Sequence, residues 1–214
     1  MSPDRPLAPA RGRPQIVAAI RDVFRQRGYD GATLTMLAEA TGLGKPSLYH
    51  HFPGGKEDMA KAALDMVECG LDETFLAPLA ADGPAAERLD RMFVALDAYY
   101  ESGRMGCLLA ILALQRGEHG LSGRIADMFQ KWIASLAALC RDASIADGEQ
   151  RAETAIALIQ GGLALAAGLN SPEPFHRALA QARNVILASS QRSWPHTPLK
   201  NGTRNQKNTN KSLR

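Results

Sequence analysis

Apolar residues in this chain recur at helical spacing and almost nowhere alternate, which leaves little room for any fold but an all-helical one. Ile16, Val17, Ile20, Val23 and Phe24 stand at i, i+1, i+4, i+7 and i+8, one face of a helix. Pro14 suits the first turn of that helix, and Gly28 can end it. Thr33 or Thr35 can open a second, short helix through Leu37 and Ala38, with Gly42 as its stop. The third helix, at about 45–51, has barely two turns available. Pro46 fits its first turn, where no intrahelical N–H bond is lost, and Pro53-Gly54-Gly55 ends it. A long helix is expected from about Glu57 to near Leu76, broken by Pro78, with Glu57 and Asp58 at the positive end of its dipole. Further helices are expected near 85–102, 105–117, 121–143, 148–168 and 173–190, punctuated by Gly, Pro and Asp-Gly turns. The expected fold class is all-α: three short N-terminal helices followed by a larger helical bundle.

Composition narrows the function classes. The 214 residues are 45% hydrophobic and 22% charged, ordinary for a globular protein of one large or two small domains. The longest unbroken apolar run, Met105 to Leu114, is too short for the roughly 18–20 residues of a membrane span, so no membrane partner is expected. The opening MSPDRPLAPARGRP has no apolar core of the secretory kind. Cys69, Cys107 and Cys140 are few, odd in number and far apart, which suits a reducing cytoplasm better than a disulfide framework.

Charge is unevenly placed. Residues 1–56 carry eight Lys/Arg against four Asp/Glu, residues 57–190 eleven against eighteen, and residues 191–214 six against none. A basic head and tail therefore flank an acidic body, and basic segments favour polyanions such as nucleic acid. From Trp194 onward the chain is polar, Asn-rich and basic, with too little apolar surface to offset the entropy of ordering. The expected domains are a head over 1–56, a body over 57–190 and a disordered basic tail over 191–214.

The two short helices joined by Thr41-Gly42-Leu43-Gly44 fit a helix-turn-helix over about 33–52. Leu37, Ala38, Leu43, Leu48 and Phe52 can hold the pair together, leaving Lys45, Ser47, Tyr49 and His50 to project. A helix that enters the major groove by its first turn needs a fixed angle and exposed side chains, and has little need of length. Arg11-Gly12-Arg13-Pro14 has the core of a minor-groove hook, so Arg11 and Arg13 are candidate contacts from a flexible arm.

The stretch GYDGATLTMLAEATGLGKPSLYHHFPGGKEDM, residues 28–59, resembles the DNA-binding signature of TetR-type transcriptional regulators. Thr33, Thr35, Ala38, Gly42, Lys45, Ser47, Leu48, Tyr49, His50, Phe52, Lys56 and Glu57 carry the match. FPGGKE, and GCLLAILAL at 106–114, are similar to the LmrA/YxaF-like branch. The family's usual Ser or Thr before the recognition helix is Gly44 here, and Pro46 stands where Gly or Ala is common. The resemblance implies a cytoplasmic homodimer, most often a repressor, that binds a pseudo-palindromic operator in double-stranded DNA and responds to a small-molecule effector. It places Thr33, Thr35, Lys45, Pro46, Ser47, Tyr49, His50 and Lys56 at the DNA. It implies an effector pocket in the body, with Phe93, Tyr99, Tyr100, Met105, Gln115, Met128, Trp132 and Gln160 as candidates. It also implies a dimer face on the last two helices, with Ile156, Gly161, Gly162, Leu165, Leu179 and Ile186 as candidates.

Other chemistries have thin support. His50 and His51 are adjacent, about 100° apart on a helix, and cannot share a metal. His119 and His176 stand alone, and no spacing fits zinc, so no metal or cofactor is expected. No phosphate loop or nucleophile elbow occurs, and no catalytic residue is assigned. The alternatives that stay open are a thiol or redox sensor acting through Cys107 or Cys69, and a helical small-molecule enzyme.

Overall fold

The computed structural model describes residues 12–115 and 120–188; Arg11, His119 and the tail 191–214 lie outside these residues. Every regular element among the described residues is helical. The head comprises α1 (Arg13–Gly31), α2 (Leu34–Thr41) and α3 (Lys45–His51). The body follows with α4 (Lys56–Gly70), a π-helical segment (Leu71–Leu76), α5 (Ala77–Ala80), α6 (Ala85–Tyr99) and α7 (Leu108–Ala113). It ends with α8 (Ser122–Asp142), α9 (Gly148–Leu169) and α10 (Glu173–Leu187).

Head and body share one continuous core. The apolar stripe of α1 is buried, with Ile20 and Phe24 fully so, and α1 packs on α2, α4 and α7. Gly28 breaks α1 with φ 67° and ψ −177°, and the following residues make one further turn before Thr33 caps α2. In the body an aromatic chain fills the space between α6, α8 and the π-helical segment. Phe75 stacks on Trp132 at 6.1 Å and meets Tyr99 edge-on at 5.1 Å, and Tyr100 meets Phe175 of α10 edge-on at 6.0 Å. Each such side chain, withdrawn from water, contributes about 1.5–3 kcal/mol before ordering costs.

The long helix reaches Leu76 as expected, its last turn π-helical, and Pro78 sits in the first turn of the short α5 that starts at Ala77. Two other sequence expectations are corrected. The helix expected over 85–102 stops at Tyr99, because Glu101, Ser102 and Gly103 all take positive φ. The helix expected over 105–117 covers only Leu108–Ala113 among the described residues.

Helix α9 also qualifies the expectation about apolar runs. By length and composition alone it is apolar enough to cross a membrane, with a mean hydropathy of 1.4. It packs on α8 and α10 along one side, while Leu165 and Leu169 on the other stay exposed. Of the residues expected at a dimer face, Ile156, Gly162, Leu179 and Ile186 are buried inside the protomer, so they do not lie on its surface; Gly161 and Leu165 do.

Candidate nucleic-acid interface

The recognition-helix candidate is built by opposed demands on its two sides. Leu48 and the following Phe52 are each 1% exposed, and they pin α3 to the head. Lys45, Pro46, Ser47, Tyr49 and His50 are exposed, and His51 is half-buried. Gly44 precedes α3 without a side-chain cap, as its lack of a side chain requires, and Pro46 lies in the first turn.

The turn before α3 is fixed from the α2 side. Thr33 Oγ1 accepts the Met36 N–H at 3.2 Å, capping α2. Gly42 takes φ 72°, a left-handed conformation that glycine enters at little cost, and its N–H returns to the carbonyls of Ala38 and Glu39. Buried Thr41 donates its hydroxyl to the Leu37 carbonyl at 2.8 Å. Thr35 is exposed on the first turn of α2, beside the cap residue Thr33.

Two basic residues assigned to DNA turn out to be engaged with the protein. Lys56 Nζ donates to the Ala32 carbonyl at 3.1 Å and sits 4.6 Å from the Tyr29 ring centroid. Its ammonium braces the α1–α2 connection with one of its three N–H donors. The Arg13 guanidinium lies 5.1 Å from the Phe52 ring centroid and donates to the His51 carbonyl at 3.4 Å. It folds back on the end of α3, whereas Arg11 lies outside the described residues.

The residues expected to line an effector pocket divide into groups. Phe93, Tyr100, Met128 and Trp132 are buried in the body core. Burial raises the Tyr100 hydroxyl well above the usual tyrosine range, so it stays protonated. Trp132 Nε1 and Gln160 Nε2 are buried donors without an acceptor. Tyr99 and Met105 are tied to Arg25, a residue the sequence reading passed over. Arg25 is 8% exposed and donates to the Tyr99 hydroxyl at 2.9 Å and to Met105 Sδ at 3.5 Å. Among the described residues it meets one carboxylate within salt-bridge distance, Asp22 at 3.8 Å. Gln115 reaches across to the head, where its Oε1 accepts the Tyr29 N–H at 2.5 Å.

Among the described residues no group of three or more His, Cys, Asp or Glu side chains could hold a metal ion. Salt bridges join α8 to α4 and the π-helical segment: Arg124 meets Asp65 and Glu68 of α4 at 2.6 Å each, and Lys131 meets Asp72 of the π-helical segment at 2.5 Å.

Comparison with known proteins agrees with this geometry. Residues 16–63, which span most of α1 through the first half of α4, match the family described as "Bacterial regulatory proteins, tetR family". The HTH-type transcriptional regulator LmrA of Bacillus subtilis is 24% identical over 170 residues, covering 76% of this chain and 89% of LmrA. The HTH-type transcriptional repressor AcnR of Corynebacterium glutamicum is 35% identical over 97 residues, 42% of this chain and 50% of AcnR. A TetR regulator structure from Chloroflexus aurantiacus superposes with a TM-score of 0.71 at 24% identity, covering 83% of this chain and 94% of that one. The TetR family regulator CifR, solved with 26-bp operator DNA, superposes with a TM-score of 0.68 at 26% identity, covering 89% of this chain and all of that one. With the helix-turn-helix formed where the signature lies, residues 16–63 are a tetR-family DNA-binding domain, and the chain is similar to TetR-family transcriptional regulators over most of its length.

Proposed function

We propose that the chain is a ligand-responsive repressor: a homodimer that grips a pseudo-palindromic operator with two copies of α3 and leaves it when a small molecule binds the helical body. The observation that carries this reading is the sidedness of α3, where five of seven residues are exposed and Leu48 anchors the other side. A two-fold axis relating two such helices demands a palindromic site. The operator complex of CifR supports the DNA partner, and the repressor role of AcnR supports the direction of control. The buried, unsatisfied donors Trp132 Nε1 and Gln160 Nε2 favour an effector that is largely apolar with one or two acceptor atoms. Such an effector weakens DNA binding only by preferring a conformation in which the α3 helices are misplaced.

Within α3 the roles divide. Lys45 and Tyr49, with Thr33 and Thr35 of α2, contact phosphates; Ser47 and His50 lie nearest base edges. Lys45→Ala should weaken operator and scrambled duplexes alike and flatten the plot of log affinity against log salt by roughly one unit. His50→Ala should instead narrow the gap between the two duplexes. Lys56→Ala should change the salt slope less than Lys45→Ala and loosen the head, because its ammonium is committed to Ala32 and Tyr29. Fluorescence anisotropy across a salt series reads all three; unchanged slope and specificity in every variant would remove α3 as the reading element.

Cysteine chemistry is not the switch in this reading. Glu73 beside exposed Cys69 holds its thiol above the usual range, and burial does the same for Cys140, so neither favours the reactive thiolate. Cys107 is buried. The triple variant Cys69→Ala, Cys107→Ala, Cys140→Ala should keep operator affinity and effector response within about twofold. Loss of response with the fold intact, by circular dichroism, would replace this reading with thiol sensing.

A further inference from the structure

A cavity of about 310 Å³ lies where the head meets the body, apart from the aromatic core. Leu112 of α7 and Leu121, Ile125 and Phe129 of the α8 region form its apolar walls, while Tyr29 of α1 and Gln115 supply polar groups. None of the described residues that line it carries a formal charge. The volume is at the lower end for small-molecule sites, which favour domain junctions and walls of this composition. It has room for roughly ten waters at about 30 Å³ each. An ion would lose its hydration there without a counter-charge among the described walls, whereas a neutral amphiphile keeps its polar end on Gln115, Tyr29 or the Ser122 hydroxyl.

The position of the cavity matters more than its size. Tyr29 directly follows Gly28, where α1 breaks, and its N–H is held by Gln115 of the body. The Gln115 carboxamide fills the space that a Cβ at Gly28 would occupy. Three residues after Tyr29, the Ala32 carbonyl accepts from Lys56, and Thr33 caps α2. Anything that parts Tyr29 from α7 and α8 therefore acts on the short connection that sets the angle of the helix-turn-helix.

We infer that this junction is a second small-molecule site, for an uncharged amphiphile of two or three aromatic rings, and that filling it shifts the head relative to the body. The inference rests on the DNA-binding reading above but not on an effector in the body core. The probe is N-phenyl-1-naphthylamine, neutral and fluorescent in apolar surroundings, added to the full chain. Ala126 lines the cavity from an exposed position on α8, so Ala126→Trp fills the space without entering the core; Ala113→Trp does so from α7. Probe binding should weaken at least tenfold in both variants, with melting temperatures unchanged. Saturating probe should lower operator affinity in the parent and not in the variants. Probe binding that is absent from the parent, or equal in parent and variants, overturns the site. Probe that binds there but leaves operator affinity unchanged overturns the coupling. A parent that binds the probe but no duplex specifically would sink the regulator reading itself, a separate outcome.

Discussion

Phe52→Ala should cost the head about 3–5 kcal/mol, as truncating a buried aromatic does, and should lower operator affinity far more than any exposed substitution in α3. Phe52 is the first residue past the helix, and its N–H closes the last turn on the Leu48 carbonyl at 2.8 Å. Its ring is 1% exposed beneath the Arg13 guanidinium. With seven residues, α3 is too short to hold itself helical in water and depends on this packing. Losing the ring leaves a cavity and frees the angle at which α3 is presented. Every 1.4 kcal/mol then needed to reorder α3 on DNA is a tenfold loss of affinity. Tyr49→Ala, 45% exposed, is the control: it should leave melting unchanged and affect only DNA contacts. Urea unfolding and anisotropy on the same samples would check the pair. If Phe52→Ala matches the parent in operator affinity to within threefold, the claim that Leu48 and Phe52 fix the reading helix fails.

How much of this was legible in the sequence depended on the range of the interaction. Helix α3 was readable to the residue, because Pro46 and Pro53 act on the backbone next to them. The stop at Gly42 was equally local, a left-handed turn that glycine alone enters freely. Arg25 was not legible: an arginine between Phe24 and Gln26 reads as surface, and only Tyr99 and Met105, 74 and 80 positions away, make it an interior residue. The partners of Lys56 and Arg13 are hidden in the sequence for the same reason, since the ring that each covers is distant along the chain. The end of the long helix near Leu76 was local too, since a proline is welcome in a first turn and not in a helix interior, but the π-helical segment before it has no clear local signal. The junction cavity was half visible: Gln115 was singled out, but for the body, without its partner Tyr29.

Gly161 and Gly162 differ by one position and should fail in opposite ways. A Cβ at Gly162 would overlap the Ala178 Cβ and approach the Phe175 Cα to 3.3 Å, so α9 and α10 touch only because this residue has no side chain. Gly162→Leu must force the two helices apart, an overpacking cost of about 1–3 kcal/mol and occasionally more. A Cβ at Gly161 would meet no atom within 4 Å beyond its own stretch of helix, and the residue is exposed. Gly161→Leu should therefore stabilise the protomer by up to about 1 kcal/mol, the helix-propensity difference of a glycine. A helix as apolar as α9 is expected to be buried on more than one side. Here α8 and α10 cover one side and leave Gly161, Leu165 and Leu169 exposed, and we propose that a second copy of the chain covers them. If that copy seats against Gly161, a leucine there props the two protomers apart. The expected pattern is a Gly161→Leu protein that melts no lower than the parent at matched monomer concentration, yet scatters light as a monomer and loses tight operator binding because its two α3 helices are no longer joined. Gly162→Leu should instead melt early. A Gly161→Leu protein that stays dimeric at micromolar concentration, with an unshifted dissociation constant, would move the dimer face off the outer side of α9.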